Sequence, residues 1–336
     1  LMLSSGQFLS NDGHCQSFGE GGDGYIPGEG GGVVILKRLS EAKVDRHSIY
    51  GVLRGTAINH GGKTNGYTVP NPQAQASAIN RVLTENAIDP RHISYIEAHG
   101  TGTKLGDPIE IAGLTKAFNQ NVKAESGTSD TQYQYCDIGS AKSNIGHCEL
   151  AAGIAGLTKV LLQMKHEKIV PSLHSSQLNP HIDFATSPFI VNQTLKTWER
   201  PKINGQMIPR LAGISSFGAG GSNAHVLVEE YIEEEYKEDH TPLTSSETVY
   251  AIPLSARTIE QLDRKVQDLR KFLEDTNVTQ NIDITSVAYT LQIGREALEE
   301  RLCFIVRNLE ELVQKLTDYN EEDFELELSY RGQVKA

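Results

Sequence analysis

With 336 residues, 38% of them hydrophobic and 22% charged, the chain has the composition of a globular protein able to bury a core, on the scale of about two domains. It carries 31 Lys and Arg against 43 Asp and Glu, a net charge of −12, which offers no basic footprint for nucleic acid. It has no apolar run of membrane-spanning length and no charged-then-apolar leader at its start.

The first apolar run, GGGVVILK at 30–37, reads as a buried strand, and IYGVLRGTAI at 49–58 is expected to pair with it. From Pro72 to Asn86, Ala76, Ile79, Val82 and Leu83 fall at helical spacing. ISYIEAHG at 93–100 reads as a strand delivering His99 at its C-terminal end, where layered α/β folds gather their chemistry. Asp107 to Phe118 reads as a helix with Ile109, Ile111, Leu114 and Phe118 apolar, and 119–136 as a polar surface loop. A helix rich in small residues follows from Ala151 to Met164, and its composition predicts close packing in a core. Residues 211–228 read as strand, glycine turn, strand, with Ala224, Val226 and Val228 on one face.

Composition then changes. Residues 1–228 hold 19 Lys and Arg against 18 Asp and Glu, so the acidic excess belongs to residues 229–336, beginning with the acid-rich linker expected over 231–247. Beyond it, VYAIPL at 249–254 predicts a strand. Thr258 and Gln261 form a capping-box pattern before a helix striped by Ile259, Leu262, Val266, Leu269 and Phe272. RLCFIV at 301–306 predicts another strand, Asn308 and Glu311 cap a last helix, and an acidic, loosely ordered tail is expected over 319–336.

The glycines at 19–24 satisfy G-x-G-x-x-G, but Pro27 and Gly28 follow where a dinucleotide site needs a helix, so a structural turn is the better reading. His166-Glu167 lacks the second histidine of a zinc helix, Val170 standing in its place, and no metal is expected. Cys15, Cys136, Cys148 and Cys303 show no framework spacing, which fits reduced thiols in the cytoplasm.

His99 and His147 remain, each in a glycine-framed polar turn that lets a ring nitrogen face charge developing in a reaction. The strings that hold them, EAHGTGT at 97–103 and KSNIGH at 142–147, together with SSFGAGGSNAHVLVEE at 215–230, resemble the ketosynthase (β-ketoacyl synthase) domain of a modular polyketide synthase, in the family's order. FGEGGDGYIPGEGGGVVIL at 18–36 and KTNGYTVPNP at 63–72 extend the likeness toward synthases that borrow an acyltransferase in trans.

The resemblance implies an α/β fold: the C-terminal part of a thiolase-like layered domain over residues 1–230, then a small α/β subdomain over 248–318. It implies decarboxylative Claisen condensation of an acyl thioester with malonyl on an acyl carrier protein. His99 and His147 would stabilise the enolate, and Lys142 would act electrostatically. Thr101 and Thr103 would bond the phosphopantetheine arm, which arrives on the carrier protein, so no cofactor is bound directly. The loop from Phe217 would contact substrate and place the Ala219 N–H in an oxyanion hole; fatty-acid relatives carry an aromatic gate where Ala219 stands, and alanine suits bulkier acyl chains. Partners implied are acyl carrier protein domains, a trans-acting acyltransferase and a second copy of the domain.

The family's nucleophilic cysteine lies in a segment like DTACSSS, which this sequence lacks. These 336 residues are therefore expected to be inactive alone and to be part of a larger polypeptide. Cys148, next to His147 at a helix start, reads as a packing residue, and His225 as structural at least as readily as functional. A transfer-only ketosynthase and an inactive scaffold are the alternative readings.

Overall fold

The computed structural model describes residues 8–64, 66, 69–122, 133–203, 205–233, 248–274, 282–319 and 327–334. The chain divides into two compact units, Leu1–Glu234 and Glu235–Ala336. The linker expected over 231–247 lies outside the described residues from 234 onward, as does 123–132 of the expected surface loop.

In the first unit, a short helix α1 (Leu39–Val44) precedes strand β1 (Val52–His60) and helix α2 (Pro72–Glu85). Asn71 starts α2 by accepting the N–H groups of Gln73 and Ala74 on its side chain. Strand β2 (Tyr95–Glu97) leads into helix α3 (Gly106–Asn121), and β3 (Cys136–Gly139) into the single turn α4 (Lys142–Ile145) and helix α5 (Ala152–His166). Strands β4 (Phe189–Val191), β5 (Leu211–Phe217) and β6 (Ser222–Glu229) complete a mixed six-stranded sheet of order β1-β6-β5-β2-β3-β4. Strands β5-β2-β3-β4 are parallel, whereas β1, β6 and β5 pair antiparallel.

The sheet is covered on both sides, which is why β2 is buried at every residue. Ile96, Leu211 and Leu227 pack with Ile79, Leu83 and Leu114 of α2 and α3 on one face. Tyr95, Ala212, Ile214 and Val228 pack with Val160 and Met164 of α5 on the other.

Two expectations fail here for physical reasons. Residues 30–37 form no strand, and Val33 and Ile35 are 92% and 95% exposed, because no neighbouring strand among the described residues takes up their backbone groups. The segment at 49–58 instead contributes to β1, which pairs with β6 in register Thr56 to Val226. Helix α5 is buried along one face only: Val160 is fully buried while Leu162 is 48% exposed.

The second unit is a three-stranded antiparallel sheet, β7 (Tyr250–Ala256), β8 (Glu300–Val306) and β9 (Ser329–Gln333), in that order. Helices α6 (Ile259–Glu274), α7 (Ile284–Ile293) and α8 (Leu309–Asp318) bury Leu262, Val266, Val287 and Leu312 in a core with Ile252, Leu302 and Phe304. The caps foreseen are present: Thr258 Oγ1 accepts the Gln261 N–H, and Asn308 Oδ1 accepts the Glu311 N–H. The buried stripe of α6 runs through Leu273 rather than Phe272, one residue further round a 3.6-residue helix. Residues 319–336 are not all loose, since Ser329–Gln333 pairs with β8 as the third strand. Its polar, alternating sequence gives little apolar signal because it is an edge strand.

Candidate active site

Three parallel strands end side by side, and the loop after each carries one of the singled-out motifs. After β2, the chain turns through His99–Thr103 with Gly100 at φ +40° and Gly102 at φ +72°, a backbone that side chains resist. That turn is held by two carboxylates at the start of α3. Glu110 accepts the N–H groups of His99 and Gly100, both at 2.8 Å. Asp107 accepts those of Gly102 at 3.1 Å and Phe18 at 2.7 Å. Burial pushes Asp107 up to about 6 and Glu110 up to about 7, partly offset by the N–H donors.

After β3, α4 ends at Gly146, φ +74°, where a Cβ would lie 2.8 Å from the Ile26 carbonyl oxygen. His147 then joins the segment 26–28 in a bridge: its N–H donates to Ile26 O at 2.7 Å and its carbonyl accepts the Gly28 N–H at 2.8 Å. The G-x-G-x-x-G run is thus a structural turn, with Gly24 donating to the Gly102 carbonyl at 3.2 Å. It braces the loop that carries His99, and residues 26–28 just after it brace the one that carries His147.

The His99 and His147 rings meet edge to face with centroids 5.5 Å apart, and Phe217 at the end of β5 lies 5.8 Å from His99. The Phe217 N–H donates to His99 Nδ1 at 3.3 Å, and the Glu149 N–H donates to His147 Nδ1 at 3.0 Å. A nitrogen that accepts an N–H is unprotonated, so each neutral ring carries its proton on Nε2. Burial, with the Lys142 cation adding to it, holds His99 well below the usual imidazole range and lowers His147 to about 4. Both rings are therefore neutral Nε2–H donors at neutral pH, the form suited to an oxyanion.

Lys142 is buried, its pKa lowered by burial despite the carboxylates of Glu97, Glu110 and Asp107. The Thr101 and Thr103 hydroxyls lie 3.1 Å apart, and Thr103 Oγ1 also accepts the Gly106 N–H at 3.1 Å. Phe217 is buried, whereas Ala219 sits on an exposed turn whose internal hydrogen bonds use the N–H groups of Gly218 and Gly221. His225 is wholly buried in β6, bonded to Ser215 Oγ at 3.0 Å, and lowered by burial to about 4. Cys148 is buried with Sγ 3.6 Å from the Glu29 carbonyl, in a packing position against the segment before α1.

Glu97, Asp107 and Glu110 are the site residues that reading the sequence for functional groups passed over. A signal was present at 107 and 110, where two acids share the inward face of α3 with Ile111 and Leu114. Acids on a buried stripe need partners, and here the partners are backbone N–H groups. Among the described residues, no three metal-ligating side chains gather and no helix is long and apolar enough to cross a membrane.

A layered α/β sheet thus brings two neutral imidazole N–H donors together at its strand ends, the arrangement of an enzyme site. Residues 50–176 match the β-ketoacyl synthase C-terminal domain, residues 1–42 the N-terminal domain of the same enzyme, and residues 253–323 the RhiE-like KS-MAT linker domain. The chain belongs to the β-ketoacyl synthase family, as a ketosynthase of the modular polyketide synthases.

Among its relatives are polyketide synthase PksL of Bacillus subtilis, 54% identical over 100% of this chain and 7% of the relative, and ThaG of Burkholderia thailandensis, 50% identical over 94% and 6%. The oxazolomycin ketosynthase domain OzmH KS7 of Streptomyces albus superposes with a TM-score of 0.84 at 43% identity, over 99% of this chain and 54% of that one. The ketosynthase from module 6 of the Bacillus subtilis bacillaene synthase gives 0.83 at 39% identity, over 99% and 54%. The chain thus spans about half of these solved domains and a small part of the synthases.

Proposed function

We propose that these residues form the enolate-stabilising part of a ketosynthase that elongates polyketide chains by decarboxylative Claisen condensation. The observation that carries this reading is the pair of Nε2–H donors, His99 and His147, on rings 5.5 Å apart. The acyl chain is held as a thioester on a cysteine of the complete domain. Malonyl on an acyl carrier protein breaks its bond to the carboxyl group, carbon dioxide leaves, and the electron pair becomes an enolate. That enolate oxygen accepts from His99 and His147, each donor contributing about 3 kcal/mol on the oxyanion-hole scale. The enolate carbon then attacks the thioester carbonyl and the cysteine thiolate leaves.

Second to burial, Lys142 helps keep both imidazoles neutral through its charge. Thr101 and Thr103 bond the phosphopantetheine arm of the carrier protein, so the site takes no cofactor of its own. The Ala219 turn gives the acyl carbonyl an N–H, and the small side chain leaves room for bulkier acyl chains. A trans-acting acyltransferase loads the malonyl, and the complete domain works as a homodimer. None of the four cysteines here serves as nucleophile, so residues 1–336 alone are expected not to condense. His99 in place favours elongation over transfer alone, because transfer makes no enolate.

The test is His99→Ala in the complete ketosynthase domain, with acyl loading followed by mass spectrometry and condensation by product. Condensation is expected to fall at least about 100-fold, on the scale of a lost oxyanion donor, while loading persists. Equal loss of both steps would overturn the enolate role.

A further inference from the structure

The loop bearing Lys142 and His147 is tied at both ends to one buried carboxylate that the mechanism above does not use. Glu97, at the end of β2, is 3% exposed in its side chain. Its Oε1 accepts the Ala141 N–H at 2.6 Å, immediately before Lys142, and its Oε2 accepts the Tyr95 hydroxyl at 2.9 Å. Lys159 Nζ of α5 lies 2.8 Å from that same Oε2, with 11% of its side chain exposed. The ammonium also stands 5.6 Å from the Tyr95 ring centroid.

Room for the pair is made by two glycines: a Cβ on Gly156 would lie 3.0 Å from Glu97 Cγ, and one on Gly139 would lie 3.1 Å from Tyr95 Oη. The contacts close a ring through the chain. It runs from Ala141 through Lys142 and His147 into α5, out along Lys159 to Glu97, and back to Ala141.

We propose that the Glu97–Lys159 ion pair is a positioning device that sets the Lys142–His147 loop for condensation. It rests on the ketosynthase reading above. Neither residue touches the reacting atoms; they act through Ala141 and through the start of α5. An ion pair at this depth adds little net stability over an apolar pair of the same shape, whereas loss of one partner leaves the other charge uncompensated. Its function here is to fix one geometry. Without Lys159, the buried carboxylate must relax toward water or take up a proton, and either change moves the acceptor of the Ala141 N–H.

The experiment compares four variants in the complete ketosynthase domain: Lys159→Met, Lys159→Arg, Glu97→Gln, and Glu97→Gln with Lys159→Met. Condensation kcat, acyl loading rate and melting temperature are measured for each. Lys159→Met is expected to lower condensation kcat roughly 10-fold to 100-fold on a scale of about 1.4 kcal/mol per decade, with loading within roughly threefold of wild type. Lys159→Arg should recover most of that loss.

The double variant is expected to exceed Lys159→Met at least about threefold, because a neutral amide at position 97 needs no cation and still offers a carbonyl to Ala141. Equal loss of loading and condensation, no loss in Lys159→Met, or a double variant with the product of the single losses would each overturn the proposal. If Lys159→Met does not fold, Glu97→Gln against the double variant decides it: the double variant must then match or exceed the kcat of Glu97→Gln, and a loss in the double variant more than about threefold greater overturns the proposal. A wild-type domain that loads but never condenses would instead sink the ketosynthase reading itself.

Discussion

His99 and His147 stand edge to face at 84°, His99 with Nδ1 turned to the Phe217 N–H at the end of β5 and His147 with Nδ1 turned to the Glu149 N–H of its own turn. The Phe217 and Glu149 amides select the tautomer, so the loops that place the rings also decide which nitrogen donates. Nitrogen NMR of the histidine side chains is expected to show both as neutral Nε2–H forms at neutral pH. A predominant Nδ1–H signal for either would break the donor assignment.

Lys142 also sets how the site responds to acid. Burial first, and this cation second, hold His147 at about 4. In Lys142→Met the His147 titration is expected to move up toward the free-imidazole value near 6.5 without reaching it, since burial remains. An unmoved titration would remove Lys142 from the electrostatics of the pair.

The same lowered value has a consequence for stability. Below about pH 6.5 the unfolded chain protonates this histidine and the folded chain does not, so its contribution to stability is lost as pH falls from there toward 4. Asp107 and Glu110, raised to about 6 and 7, act in the opposite sense, favouring the fold as pH falls through those values. The His147 part is isolated by urea denaturation of wild type and His147→Gln. Between about pH 7.5 and pH 5, the wild type should lose more stability than the variant. Equal losses would contradict the depressed value.

Gly102→Ala should damage stability and condensation together. At φ +72° a side chain is strained, and its Cβ would lie 2.8 Å from the Gln16 nitrogen, which is backbone and cannot turn aside. A loss of about 2 kcal/mol or more is expected by chemical denaturation. A variant as stable as wild type would show that the HGTGT turn is not pinned as described.

Cys148→Ala should be nearly silent. Its sulfur faces the Glu29 carbonyl rather than the histidine pair, so only a small packing volume is lost, about 1 kcal/mol or less. In the complete domain, both loading and condensation should stay within about threefold of wild type. Loss of acyl loading in this variant would make Cys148 a nucleophile and overturn its packing role.

The sequence by itself determined the periodic elements and the three motifs. Ala76, Ile79, Val82 and Leu83 mark α2 because every fourth or third residue meets the sheet, and the Asn308–Glu311 pattern marks the cap of α8 because capping is a local bond. His99 and His147 were legible through glycines whose positive φ a local reading anticipates. Pairing was not legible: residues 30–37 have strand composition, yet a strand exists only where a neighbour takes its hydrogen bonds, and the pairing of β1 with β6 spans more than half of the first unit. Tertiary structure alone decided that Glu110 holds the His99 turn, that Phe217 chooses the His99 tautomer, and that Glu97 and Lys159 close a ring around the Lys142 loop. Each of these joins residues brought together by the crossover of separate strands and helices, and a buried charge declares its partner only once the fold has removed the water that would otherwise satisfy it.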